Sequence, residues 1–168
     1  MPSPEYASHR EVTSGVHTTF RDGSSSVATV SVGIDSDLEP SAAWALASNL
    51  SRFDEWMTIF GGWRSPVPDT IAEGTTISSL IKVKGFRNVI HWTVTDYDEP
   101  RLIALSGTGR GGVNIDLAMK VDEIADGSHF DLSAELSGGL LNGSVGRLVA
   151  KILESDVHKS ISNLATLR

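Results

Sequence analysis

The chain has no cysteine. A disulfide framework, a thiolate metal site and a cysteine nucleophile are thereby excluded, and a reducing cytoplasm is the expected location. Long apolar runs are missing too. None approaches the ~20 residues a transmembrane helix requires, so no membrane insertion is expected. The first residues lack a positive start followed by an apolar segment, so no secretory signal is expected either. Positive charge is scarce and scattered: 14 Lys and Arg stand against 21 Asp and Glu, for a net charge of -7. Binding to phosphate-rich partners rests on clustered basic residues, so nucleic acid is not an expected partner.

What is present is enough apolar material for one domain: 168 residues, 40% of them hydrophobic. Residues 1–26 hold two prolines and six serines without sustained periodicity, and read as a flexible tail before a domain spanning 27–168. Val27–Asp35 alternates as a half-buried strand. Pro40 suits a first helical turn, which predicts a short helix over SAAWALASNL. Ser51 is the expected N-cap of a second, SRFDEWMTIF, stopped by Gly61 and Gly62. WRSPVP is a proline-limited edge strand. Four further strands follow at Thr75–Lys84, Asn88–Tyr97, Val113–Val121 and His129–Leu136, together with a less clearly alternating one at Arg101–Thr108. Their connections are short and turn-rich, which favours antiparallel neighbours. Leu140–Leu167 is then one long amphipathic helix. Leu141, Val145, Leu148, Val149, Ile152 and Leu153 lie on one face, opposite Arg147, Lys151, Glu154 and His158. At roughly 40 Å it needs a long apolar surface, and only the sheet supplies one. A sheet curled around such a helix leaves a cleft between them.

GTGRGG, Gly107–Gly112, satisfies a dinucleotide fingerprint, but the residues after it alternate as a strand. No helix N-terminus is there to receive a pyrophosphate, so the glycines read as a strand connection. His9, His17, His91, His129 and His158 have no metal-ligand spacing, so no metal and no cofactor are expected. No nucleophile elbow selects a catalytic triad.

WRSPVP (Trp63–Pro68), KVKGFRNVIHWTV (Lys82–Val94) and GTGRGGVNI (Gly107–Ile115) resemble the START-like, or SRPBCC, superfamily. The similarity is to an actinobacterial branch described as toxins of type II toxin–antitoxin pairs. The superfamily includes polyketide cyclases and lipid-transfer domains. The resemblance covers about Val27–Leu167 and implies an α+β helix-grip fold. That is a seven-stranded curved antiparallel sheet around a long C-terminal helix, with two short helices after the first strand. It also implies a hydrophobic cavity between sheet and helix.

On these grounds the expected ligand-binding walls are Ile77, Ser79, Ile81, Trp92, Val94, Ile115, Leu117, Met119, Leu132, Val149 and Ile152. Asp156 is open to two readings. In one it anchors a polar ligand group over the cleft; in the other the helix stripe turns so that Val157, Ile161 and Leu164 face inward and Asp156 lies at a solvated edge. No catalytic residue is assigned. The expected function is binding or transport of a small hydrophobic ligand, lipid or polyketide-like. The alternatives are a cyclase or dehydratase-type enzyme, which would need inward acids or bases, and the toxin of a type II pair with an antitoxin protein as partner.

Overall fold

The computed structural model describes residues 13–21, 25–83, 86–138 and 144–167. Eight strands and two α-helices follow in order: β1 (Thr13–Arg21), β2 (Ser25–Ser36), α1 (Pro40–Ser48), β3 (Phe60–Trp63), β4 (Thr76–Val83), β5 (Phe86–Asp98), β6 (Leu102–Gly109), β7 (Val113–Ile124), β8 (Gly127–Ser137) and α2 (Ser144–Thr166). One antiparallel sheet runs β1-β2-β8-β7-β6-β5-β4-β3. The short connections make β4 to β8 a meander, and β2 closes against β8. This is the expected α+β helix-grip arrangement, with β2 to β8 as its seven strands.

Two expectations about the N-terminal half are corrected. Thr13–Arg21, assigned to the tail, is the edge strand β1, paired with β2 from Thr13↔Gly33 to Arg21↔Ser25. Its sequence, TSGVHTTFR, carries no sustained apolar alternation, which an edge strand tolerates. Residues 1–12 and 22–24 lie outside the described residues. Removing residues 1–24 should therefore lower the melting temperature by several degrees, because β2 loses its outer partner. Thermal unfolding of the truncated chain checks this, and an unchanged midpoint would make β1 dispensable.

The second expected helix is instead a 3-10 turn, Leu50–Glu55, begun by Asn49, whose side chain accepts from the Ser51 amide at 3.1 Å. Asn at this position satisfies a free amide as well as Ser does. Gly61 and Gly62 stop no helix; they lie inside β3. Gly62 has φ +113 at the register shift between Phe60↔Ile81 and Trp63↔Ser79, and a side chain on Gly61 would come within 3.0 Å of Leu80. The pair supplies a bulge that turns the edge of the sheet. β3 accordingly begins before Trp63 and excludes the two prolines that follow.

α2 packs chiefly on β2, with β8 and β1 beside it, and α1 packs chiefly on β7. Leu153, Val157, Ile161 and Leu164 are buried at helical spacing, against a β2 face whose Val30 and Val32 have no exposure. Each such side chain contributes about 1.5–3 kcal/mol relative to exposure. Ser36 Oγ donates to the Ala165 carbonyl at 2.8 Å, which fixes the end of β2 to the end of the helix.

Candidate functional site

The inward side chains of the sheet stand in rows set by strand register. One row is Ile77, Trp92, Gly107 and Ile115, from β4 to β7. A second is Val94, Leu105, Leu117 and Ala134, from β5 to β8, and a third is Ile103, Met119 and Leu132. Ile77, Ser79, Ile81, Trp92, Val94, Ile115, Leu117, Met119 and Leu132 are all buried on this concave face. The structure thus brings nine of the twelve expected site residues onto one surface.

The other three belong to α2. The Val149 side chain lies outside the described residues, and Ile152 is only half-buried, so it is not on the buried stripe. Asp156 is also half-exposed. The inward turn of α2 is carried by Val157, Ile161 and Leu164, so the second reading of the helix is the observed one. Thr58 Oγ1 donates to Asp156 Oδ1 at 3.1 Å, and the Thr58 amide donates to Ser160 Oγ at 3.0 Å. These bonds tie the chain after the 3-10 turn to α2 at the rim. Because exposed polar pairs contribute little, Asp156→Leu should change stability by less than about 1 kcal/mol. A melting-temperature shift of many degrees would place the carboxylate in the interior instead.

The Ser79 hydroxyl, expected as an inward polar group, is engaged: it accepts from Trp92 Nε1 at 2.8 Å. A buried indole N–H needs such a partner, and here the neighbouring strand supplies it. The Trp92 ring lies over Gly107, where an added Cβ would come within 2.6 Å of Trp92 Cε3 and 2.4 Å of Ile90 Cγ2. The first glycine of GTGRGG therefore gives space to an aromatic wall, and only Arg110–Gly112 form the connection. Gly107 was read only as part of a strand connection, and neither it nor Leu105 was expected on the inner wall. The signal was present in Ile103, Leu105 and Gly107 at period 2, but apolar Leu102 and Ala104 on the other face obscured it.

Aromatic residues close the ends of this face. Trp44 of α1 meets Tyr97 edge-on at 5.8 Å. Burial, and then the Glu99 charge, raise the Tyr97 pKa. The neutral phenol is thereby favoured in the fold, and its contribution is present below pH ~10 and lost above it as the folded group ionises. Stability should fall through that alkaline window less steeply in Tyr97→Phe, as pH-dependent denaturation would measure. At the other end, Phe53 of the 3-10 turn packs with Trp56, Phe60 and Trp63.

Among the described residues no Asp, Glu, His, Lys or Arg is buried, and no group of three or more His, Asp or Glu is placed to hold a metal ion. His91 bonds Ser78 on the outer face, and His158 is exposed. His129 is half-buried between Asp35, at 2.6 Å, and Asp131, at 3.6 Å, also on the outer face. No described helix is long and apolar enough to cross a membrane. The concave face offers apolar contact and shape rather than charge.

Comparison with known proteins accords with this geometry. Toxin Rv0910 of Mycobacterium tuberculosis (strain ATCC 25618 / H37Rv) is 39% identical over 141 residues, 84% of this chain and 98% of that protein. The uncharacterized protein Rv1546 of the same strain is 36% identical over 141 residues, 84% of this chain and 99% of its own length. The crystal structure of CalU16 from Micromonospora echinospora shares the fold at 15% identity, with a TM-score of 0.56 over 94% of this chain and 82% of that one. The model of the polyketide cyclase / dehydrase and lipid transport family matches residues 27–167, and the chain belongs to that family.

Proposed function

We propose that the chain binds a small hydrophobic molecule, a lipid or polyketide-like compound, between the concave face and α2, in the cytoplasm. One observation supports this most. Neither helix takes β4, β5 or β6 as its principal partner, yet the inward side chains of these strands are buried and, Ser79 apart, apolar. An apolar concave surface with a few placed polar groups is the usual form of a small-molecule site. Binding, rather than turnover, fits a face on which no acid or base is buried among the described residues. Titration with a fluorescent fatty-acyl probe should give saturable uptake at one site per chain, displaced by an unlabelled long-chain competitor. Failure of the competitor to displace it would leave only surface adsorption.

The toxin names among the relatives support a second reading, in which an antitoxin protein engages this chain. Expression alone would then arrest growth, and co-expression of a neighbouring gene's product would relieve the arrest through a stable complex. Unimpaired growth with no such complex would remove this reading.

A further inference from the structure

Trp63 donates its indole N–H to the Leu50 carbonyl at 3.0 Å, and Trp92 donates to Ser79 at 2.8 Å. Trp56 differs. It is 2% exposed, and its Nε1 is buried without an acceptor, the only such side-chain atom among the described residues. Buried donors are almost always paired, because the alternative forfeits hydration with no return.

The contacts around Trp56 locate that unpaired donor in the fold. Its carbonyl accepts from Asn163 Nδ2 on α2 at 3.3 Å. Its ring packs on Phe53 at 5.2 Å, and Phe53 in turn meets Phe60 and Trp63 of β3. Trp63 pairs in register with Ser79, beside Trp92. Trp56 is therefore linked to α2 directly and to β3 through Phe53, within the same buried apolar cluster as the inner face of the sheet. No acceptor for its N–H is present among the described residues, so a molecule entering this interior can supply one.

The geometry points to Trp56 as the hydrogen-bonding anchor of the bound molecule, which then carries a neutral carbonyl, ketone or ester, on an apolar body. A carboxylate fits poorly, since no buried Lys, Arg or His among the described residues would balance its charge. This rests on the binding reading above and adds the chemical class of the ligand.

Two probes separate the claims: a twelve-carbon methyl ketone and the straight alkane of equal length, both delivered from cyclodextrin. Heteronuclear NMR of the indole N–H groups, assigned by through-bond correlation, reads the anchor directly in the parent chain. The ketone should move the Trp56 indole proton downfield while the alkane leaves it near its unliganded position. Trp56→Phe keeps a ring and removes the donor, so ketone affinity should fall about five- to tenfold and alkane affinity stay within about twofold. If the ketone binds but leaves the Trp56 proton unmoved, as it would with a lodged water as partner, the anchor is overturned and binding stands. An equal loss for both probes in Trp56→Phe also overturns it. If neither probe binds the parent, both the anchor and the binding reading fail. Should the variant not fold, the proton shift in the parent decides alone.

Discussion

Leu105→Trp is expected to fold with a melting temperature close to that of the parent and to lose most uptake of a hydrophobic probe. Leu105 stands in the row between Val94 and Leu117, on a strand over which neither helix packs as its principal contact. Adding an indole to a filled core typically costs about 1–3 kcal/mol, because side chains must leave their rotamers. A cleft accepts the ring, at the expense of space the ligand needs. The expected stability change is therefore below about 1 kcal/mol, with affinity down at least about tenfold. Ser106→Ala, one residue along and pointing to the other face, is the control and should alter neither. Cooperative unfolding lost in Leu105→Trp would mean a filled interior. Normal melting with full uptake would place the site elsewhere.

Gly107→Ala should have the opposite signature, a clear loss of stability from a single methyl group. The added Cβ would meet Ile90 Cγ2 at 2.4 Å and Trp92 Cε3 at 2.6 Å, both from side chains held in the buried wall. Neither can withdraw cheaply: Ile90 has no exposure, and the Trp92 indole is bonded to Ser79. Overpacking of this kind costs about 1–3 kcal/mol, or about 2–12 °C in a domain of this size. Thr108→Ala, outward and exposed on the same strand, should shift the midpoint far less. Because the clash would tilt the Trp92 ring, probe uptake should weaken in Gly107→Ala as well. A variant as stable as the parent would show that Trp92 is not held over the glycine.

The sheet was legible because a strand with one buried face must alternate, and β7 does so from Val113 to Val121 without interruption. The long helix was legible for the same reason at its own period. Its rotation was not. The sequence holds two overlapping apolar stripes, one through Val149 and Ile152 and one through Val157, Ile161 and Leu164. Only contact with β2 selects between them where the side chains are described. β1 was missed because an edge strand pairs through its backbone and asks little of its side chains. The 3-10 turn was read as a longer helix because Ser51 suits an N-cap and Gly61 and Gly62 suit a stop, whereas the cap is Asn49 and the glycines belong to β3.

At the candidate site, alternation was enough to place Trp92, Val94, Leu117 and Met119 on the inner face. Alternation cannot reveal pairwise relations between strands. The bond from Trp92 to Ser79 and the fit of its ring over Gly107 depend on register, which follows from the whole sheet rather than from any one strand. The unpaired Trp56 donor was out of reach for a further reason. An orphaned N–H is defined by what fails to approach it, and that requires every neighbour to be placed.

Native mass spectrometry of the full chain, incubated with a mixture of long-chain lipids beside the Leu105→Trp variant, tests the central claim most directly. A ligand site on the concave face predicts a one-to-one complex of the parent with a bound mass of a small lipid, and a largely ligand-free peak for the variant. Equal complexes in both, or a ligand-free parent, would contradict it.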